Sequence, residues 1–389
     1  MIIQNNPIKL FTLFALLTSI AGCSTNKVST PKNYQQQEKA RHTTSALNLK
    51  AVQTLASITP QLAKYRVVFV GEQHDQYSDH LNQLAIIKIL YKHWGKDTRI
   101  GLEMVQQPYQ SYLDDYIAGH ISEREMLQGV EWYERWRYDF RLYRPIFTYA
   151  KANNIPLLAL NIPKELTKKI TKVGIKGLNK TERQQLPKII DRSDADYIKR
   201  VTNIFSKHSR TSSKGIEKFL DAQLAWDEGM AFSASKYLNK HPATRMIILA
   251  GGGHVINRSG IPNRLDQKIH SHSAVVLNNI HKVPSPKQGD YLLFSSETKL
   301  PPTGLMGIVM ADSKKGVLVK SVTAHSAALK AGVLKGDVII EIDGQKIKYS
   351  TDVKVWGLDK KPDEIAELKL LRNNKTLIKK LKLTASKHQ

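Results

Sequence analysis

The stretch VVFVGEQHDQYSDH (residues 67–80) begins with an apolar run of β-branched and aromatic residues, reaches Gly71, and then presents Glu72, His74, Asp75, Asp79 and His80. A short apolar run of this kind, ended by glycine, reads as a buried strand. Three further segments have the same grammar: TRIGLE (98–103), IPLLALN (155–161) and TRMIILA (244–250). Between them lie stretches with helical periodicity, such as DHLNQLAIIKILYKHW. Strands alternating with helices predict an α/β chain whose largely parallel sheet is flanked by helices.

In sheets of this type, ligands gather beyond the carboxyl ends of the strands. Each predicted strand ends in polar chemistry: GEQH after the first, Glu103 at the tip of the second, Asn161 at the third, and GGGH (251–254) after the fourth. Taken singly, each side chain reads as a helix cap or a surface residue. Their common position relative to the strands predicts one shared site. Two histidines and two glutamates there suit a divalent metal, with Glu72, His74 and His254 as donors, or an acid/base pair that activates water through Glu72, His74, Glu103 and His254. Gly251, Gly252 and Gly253 permit close backbone approach and leave N–H groups for an anion. The spacing is not HExxH, so a zincin is unsupported.

With 389 residues, 41% of them hydrophobic, the chain can bury more than one core, and two domains are expected. The formal charge of +25 is spread over scattered lysines, which favours anionic surfaces in general. No zinc-finger spacing and no aromatic RNA-binding signature is present, so nucleic acid is not an expected partner. At the amino terminus Lys9 precedes LFTLFALLTSIAG (10–22), which is too short to span a bilayer and fits a secretory signal over residues 1–22. Ile20-Ala21-Gly22-Cys23 resembles a bacterial lipobox, which makes Cys23 the lipidated residue, carrying palmitate-type chains that anchor the protein to a membrane. Ser24 stands where an inner-membrane retention signal would place aspartate, so the outer membrane of a Gram-negative envelope is expected. Cys23 is the single cysteine, which excludes an intrachain disulfide. The polar segment 23–54 reads as a flexible tether.

Several motifs together carry a resemblance: GEQHD with His80, GLEM (101–104), WRYDFRLYRPIFTYAKANNIPLLALNIPKEL (136–166), LAWDEGMA (224–231) and LAGGGHVINRSGIPNRL (249–265). In this order they resemble the ChaN-type haem-binding uptake proteins, which share a superfamily with the Tiki peptidases and erythromycin esterases. The resemblance implies a parallel sheet with a helical portion at 105–145 and 165–230, in a domain set at 55–285. It also implies a dimeric lipoprotein that holds haem through a tyrosine, with histidine near the propionates. The enzymatic relatives imply a different use, in which Glu72, His74, Glu103 and His254 form a hydrolytic site.

The segment EWYERWRYDFRLYRP (131–145) bears on that choice, since it is dense in aromatic and arginine residues. Haem takes an apolar slot, an axial ligand such as tyrosine, and basic groups for its propionates. Tyr138 and Tyr143 are the candidate ligands, with His74, His254 and Arg144 as further cofactor-binding residues. The competing reading is an aromatic helix packed on the sheet. Tyr109, Tyr112 and Tyr116, at helical spacing, read as core, and His93 and His120 as solvated or capping residues.

After Asn279 the composition turns proline-rich, and the stretch that follows reads as an interdomain linker, set at residues 286–299, and an entry strand. Beyond it, short strands such as GVLVKSV and DVIIEI flank AHSAALKAG, and Asp343-Gly344 makes a tight turn. This resembles a PDZ domain of the bacterial protease type over residues 300–386. Leu305, Met306, Gly307 and Ile308 occupy the place of the loop that binds a peptide carboxylate, with Met306 where glycine is usual, which would narrow that N–H nest. Such domains add a chain terminus as an extra strand, which implies a protein partner; the alternative is a PDZ used only to pack against the first domain. The reading favoured by the whole chain is an outer-membrane lipoprotein that holds haem or a related iron cofactor for uptake. The alternative is a hydrolase, a peptidase or esterase, working through the strand-end cluster.

Overall fold

A computed structural model describes residues 47–208, 213–278 and 283–385. Cys23, the predicted signal peptide and most of the predicted tether lie outside the described residues. Among the described residues, no helix is long and apolar enough to cross a membrane.

The first sheet contains β1 (Val67–Glu72), β2 (Thr98–Gln106), β3 (Leu157–Asn161), β4 (Arg245–Gly251), β5 (Ala274–Asn278) and β6 (Tyr291–Leu293). Their order is β3-β2-β4-β1-β5-β6, and every pairing is parallel. The strands read as continuous apolar runs because both faces are covered. On β1, Val68 and Val70 enter a core with Ile86, Ile87 and Leu90 of α1 (Tyr77–Trp94) and with α2 (Arg144–Ala152). Val67 and Phe69 enter a second core on the other face. There they meet Met230, Ala234 and Leu238 of the long helix Ser213–Lys240 and Leu265 of the helix Ile261–Ile269.

Two strands run past the ends predicted from their apolar residues. β1 continues through Gly71, paired with Ala250 and Leu277, to Glu72, paired with Gly251. Parallel neighbours on both sides keep its hydrogen-bond ladder going where the apolar pattern has stopped. Gly71 is required by the packing: a Cβ there would come 2.7 Å from Cγ2 of Val255. β2 likewise extends to Gln106. The segment expected to be a linker supplies β6, which pairs along β5 from Val276 to Asn278.

The carboxyl-terminal region is antiparallel, with β7 (Gly304–Leu305), β8 (Ile308–Ser313), β9 (Gly316–Val322), β10 (Val338–Ile342), β11 (Gln345–Lys346), β12 (Ile365–Arg372), β13 (Lys375–Lys382) and β14 (Thr384–Ala385). The main path runs β13-β12-β10-β9-β8, so β8 forms one edge. It has its own core of Val317, Val319, Ile339, Leu368 and Leu370. It is also docked on the first domain. Leu300 and Leu358 are buried in the first domain's core, Arg144 pairs with both Glu123 and Asp359, Gln128 meets Asp352, and Thr351 meets Glu134.

Candidate functional site

Three adjacent strands, β2, β4 and β1, end side by side and bring the predicted residues together. Glu72 closes β1 with its side chain buried, and its Oε1 accepts from Nδ1 of His74 at 2.6 Å. Glu103 lies within β2. Its Oε2 accepts from the Gly251 N–H at 2.6 Å, and its Oε1 lies 3.3 Å from Nε2 of His254. On the other side of that imidazole, Nδ1 of His254 pairs with Oδ1 of Asp227 at 2.6 Å, while the Tyr197 hydroxyl donates to Oδ2 of Asp227 at 2.6 Å. Asn161 supports the set from β3 by donating to the Glu103 carbonyl at 2.9 Å. The result is a buried relay, Tyr197–Asp227–His254–Glu103–Gly251, beside a separate Glu72–His74 pair. The two systems meet at Gly251, where a Cβ would lie 2.8 Å from Cε1 of His74 and 3.6 Å from Oε2 of Glu103.

The charges explain the protonation. Burial alone would lower His254, but Glu103 and Asp227 on its two sides outweigh it and hold the imidazole up at about 9, so it is a cation at neutral pH. His74 follows the same logic: burial lowers it, while the hydrogen bond and charge of Glu72, with Glu103 behind, leave it raised overall.

Above His74 lies an aromatic shelf. The Trp136 ring stands edge-on at 4.6 Å and the Tyr138 ring tilts at 5.0 Å. Tyr138 is 36% exposed, whereas Tyr143 is 0% exposed. The Tyr143 hydroxyl donates to the His74 carbonyl at 3.3 Å, and its ring packs 4.1 Å from His80. Of the two tyrosines, only Tyr138 therefore offers a phenol to a ligand from solvent. Burial raises its pKa, with the charges of Asp75 and Glu72 adding to the effect. Arg144 points elsewhere, into its pairs with Glu123 and Asp359. Tyr116 is buried as expected, but Tyr109 is half-buried and Tyr112 is 40% exposed. His93 is exposed, and exposed His120 pairs with Asp115.

Glu72, His74 and His254 are the candidate metal donors. Among the described residues, no three His, Cys, Asp or Glu side chains are arranged to hold a metal ion. The donor atoms are turned toward one another instead, with both nitrogens of His254 committed to carboxylates.

On the other side of Glu72 a cavity of about 730 Å³ opens, lined by Lys199, Arg200, Gly252, Gly253 and Asn278. Arg200 donates to the Gly253 carbonyl at 2.9 Å and to Oγ of Ser259 at 3.0 Å. Oε2 of Glu72 is buried without a hydrogen-bond partner. Asp227, Tyr197 and Arg200 escaped sequence reasoning. They sit on helices, and the available signal was Asp227 within LAWDEGMA, an acid in a helix face otherwise destined for burial.

In the carboxyl-terminal domain Gly307 takes φ +77°, and a Cβ there would lie 2.3 Å from Cβ of Ser326. Met306 is buried with the domain core, and its carbonyl accepts from Ala328 N–H at 2.9 Å.

Residues 58–265 match the family model described as haem-binding uptake, Tiki superfamily, ChaN. The chain belongs to this family. Residues 304–383 match the PDZ domain model. The structure of ChaN of Campylobacter jejuni with cofacially bound haem is similar in fold, with a TM-score of 0.50 at 20% identity, covering 62% of this chain and 91% of that one. The chain is 35% identical over 81 residues to the serine protease Do-like HtrA of Bacillus subtilis, covering 21% of this chain and 18% of that protein. Protein RETICULATA-RELATED 5, chloroplastic, of Arabidopsis thaliana is 24% identical over 238 residues, covering 56% of this chain and 31% of that protein. The chain thus spans less than a third of the length of either curated relative.

Proposed function

We propose that the protein is an outer-membrane lipoprotein, anchored through Cys23, that holds haem for uptake on the shelf beside His74 and docks a partner protein through its PDZ domain. The observation that carries this reading is the exposed Tyr138 phenol, set with Trp136 directly on His74 at the mouth of the strand ends. The donor set fits the group: an accessible phenol for iron, flat aromatic faces for the macrocycle, and an imidazole beside them. Haem bound there supplies a ferric centre, whose positive charge favours the phenolate that burial disfavours. His74, fixed by Glu72 and raised in pKa, offers a proton to an anionic propionate. Arg144, already paired twice, has no part in this role. In this proposal the protein is a homodimer, in which a second copy covers the exposed side of the shelf. The test is a haem titration followed by visible absorption, in which Tyr138→Phe alters the bound spectrum.

One observation favours a second reading. Oε2 of Glu72 is buried, unpartnered and at the wall of a cavity, which suits a carboxylate that accepts a proton from water or substrate. Glu72→Gln should then cost about 10²-fold or more in peptide or ester hydrolysis. A wild-type protein that hydrolyses neither class removes this reading.

A further inference from the structure

The four residues Trp136 to Asp139 serve two sites at once. Trp136 and Tyr138 pack on His74, while Arg137 and Asp139 line a cavity of about 510 Å³ against the PDZ domain. The alternation is held by the backbone: Arg137 has φ +77° and donates its N–H to the Trp132 carbonyl at 3.0 Å. A left-handed conformation at a non-glycine residue is strained and is kept where the surroundings dictate it.

The cavity is the groove between the free edge of β8 and the helix α3 (Ser350–Gly357). Ile308, Val353 and Trp356 give it an apolar floor, and Tyr133, Arg137 and Arg141 form the opposite wall. That wall belongs to the first domain. Arg141 is neutralised by Asp139 at 2.6 Å and is also tied to the Pro301 carbonyl. Arg137 is exposed and, among the described residues, has no ion pair. Facing it, Lys354 lies 5.0 Å from the Tyr133 ring centroid, with no carboxylate partner among the described residues. The groove therefore holds two cations that its own acid, Asp139, does not offset. Asp312, farther along β8, is already used by Ser350.

We infer that the peptide groove is a composite of both domains and takes the carboxyl terminus of a partner chain that ends in an apolar residue and carries acidic residues just before it. The terminal strand adds to the β8 edge, its last side chain fills the apolar floor, and its acidic side chains meet Lys354 from one domain and Arg137 from the other. The inference rests on the reading of the PDZ domain as a docking module and adds to it the selectivity and the wall that supplies it.

The test uses the full mature chain and short fluorescent peptides ending in valine, with either a free carboxylate or an amide, and with either glutamate or lysine upstream. Anisotropy titrations should show the amide binding at least tenfold more weakly than the acid. Among free acids, glutamate peptides should bind about three- to tenfold more tightly than lysine peptides, a preference that weakens with salt. Arg137→Glu and, independently, Lys354→Glu should each reduce or reverse that preference. No binding by any peptide, or equal binding of acid and amide, overturns the docking reading together with this inference. Binding of free acids with glutamate and lysine indistinguishable, or a preference that Arg137→Glu leaves intact, overturns the composite groove while the docking reading stands.

Discussion

His254 is held between Glu103 and Asp227, and its charge links the site to stability. Its value in the folded protein, about 9, lies above the ordinary 6.5. A group raised on folding stabilises fully below its unfolded value and loses that contribution as pH rises through the folded one. Stability should therefore fall between about pH 6.5 and pH 9, by on the order of 3 kcal/mol. Urea unfolding across this window checks it, and His254→Asn should flatten the slope; a wild-type profile that is level there contradicts the assignment. At this scale Glu72, His74, Glu103 and His254 were legible, because each stands in line with a strand end. Asp227 and Tyr197 were not, since both lie on helices away from the strand ends, and only the apolar surroundings of Asp227 in LAWDEGMA hint at its burial. Nor could sequence separate Tyr138 from Tyr143. Both belong to one aromatic segment, and only its irregular path, with φ +52° at Glu131 and +77° at Arg137, decides which ring turns inward.

The glycines at the end of β4 and beyond show how elements hold the site. A Cβ on Gly260 would lie 2.0 Å from the backbone oxygen of His254, with no flexible side chain able to yield. Gly260→Ala should thus cost several kcal/mol and displace His254, since relief requires a backbone shift. Gly251→Ala meets instead the rim of the His74 ring, a side chain that can give way by loosening its bond to Glu72, so the fold should survive while the His74 face changes. Thermal unfolding of both variants checks the contrast, and equal loss of stability in the two would contradict it. The four predicted strands are all present, because buried parallel strands leave continuous apolar runs. β5 and β6 left weaker marks: AVVLN is short, and YLL sits among prolines and polar residues, where only pairing with β5 makes it a strand. The overrun of β1 through Gly71 and Glu72 has the same origin, since pairing partners extend a strand beyond its hydrophobic pattern.

Across the whole molecule, the two-domain plan was legible from a change in strand grammar, but the docking was not. Leu300 and Leu358 look like ordinary PDZ-region leucines in sequence, yet both are buried in the first domain's core. The contact aligns the groove with the insert and leaves one segment between two sites. Anchoring belongs to this scale as well. With Cys23 replaced by serine, the protein should leave the membrane fraction or persist as an uncleaved precursor; unchanged fractionation and migration would remove the lipoprotein reading. Haem binding on the Tyr138 shelf is tested most directly by a haem titration of the mature protein followed by visible absorption, with Tyr138→Phe and Tyr143→Phe in parallel. Binding should saturate in the micromolar range, and Tyr138→Phe should alter the spectrum. Tyr143→Phe should leave the spectrum unchanged and lower stability by about 1 kcal/mol through loss of its bond to the His74 carbonyl. Absence of saturable binding, or a spectrum that follows Tyr143 and ignores Tyr138, would contradict haem binding on that shelf.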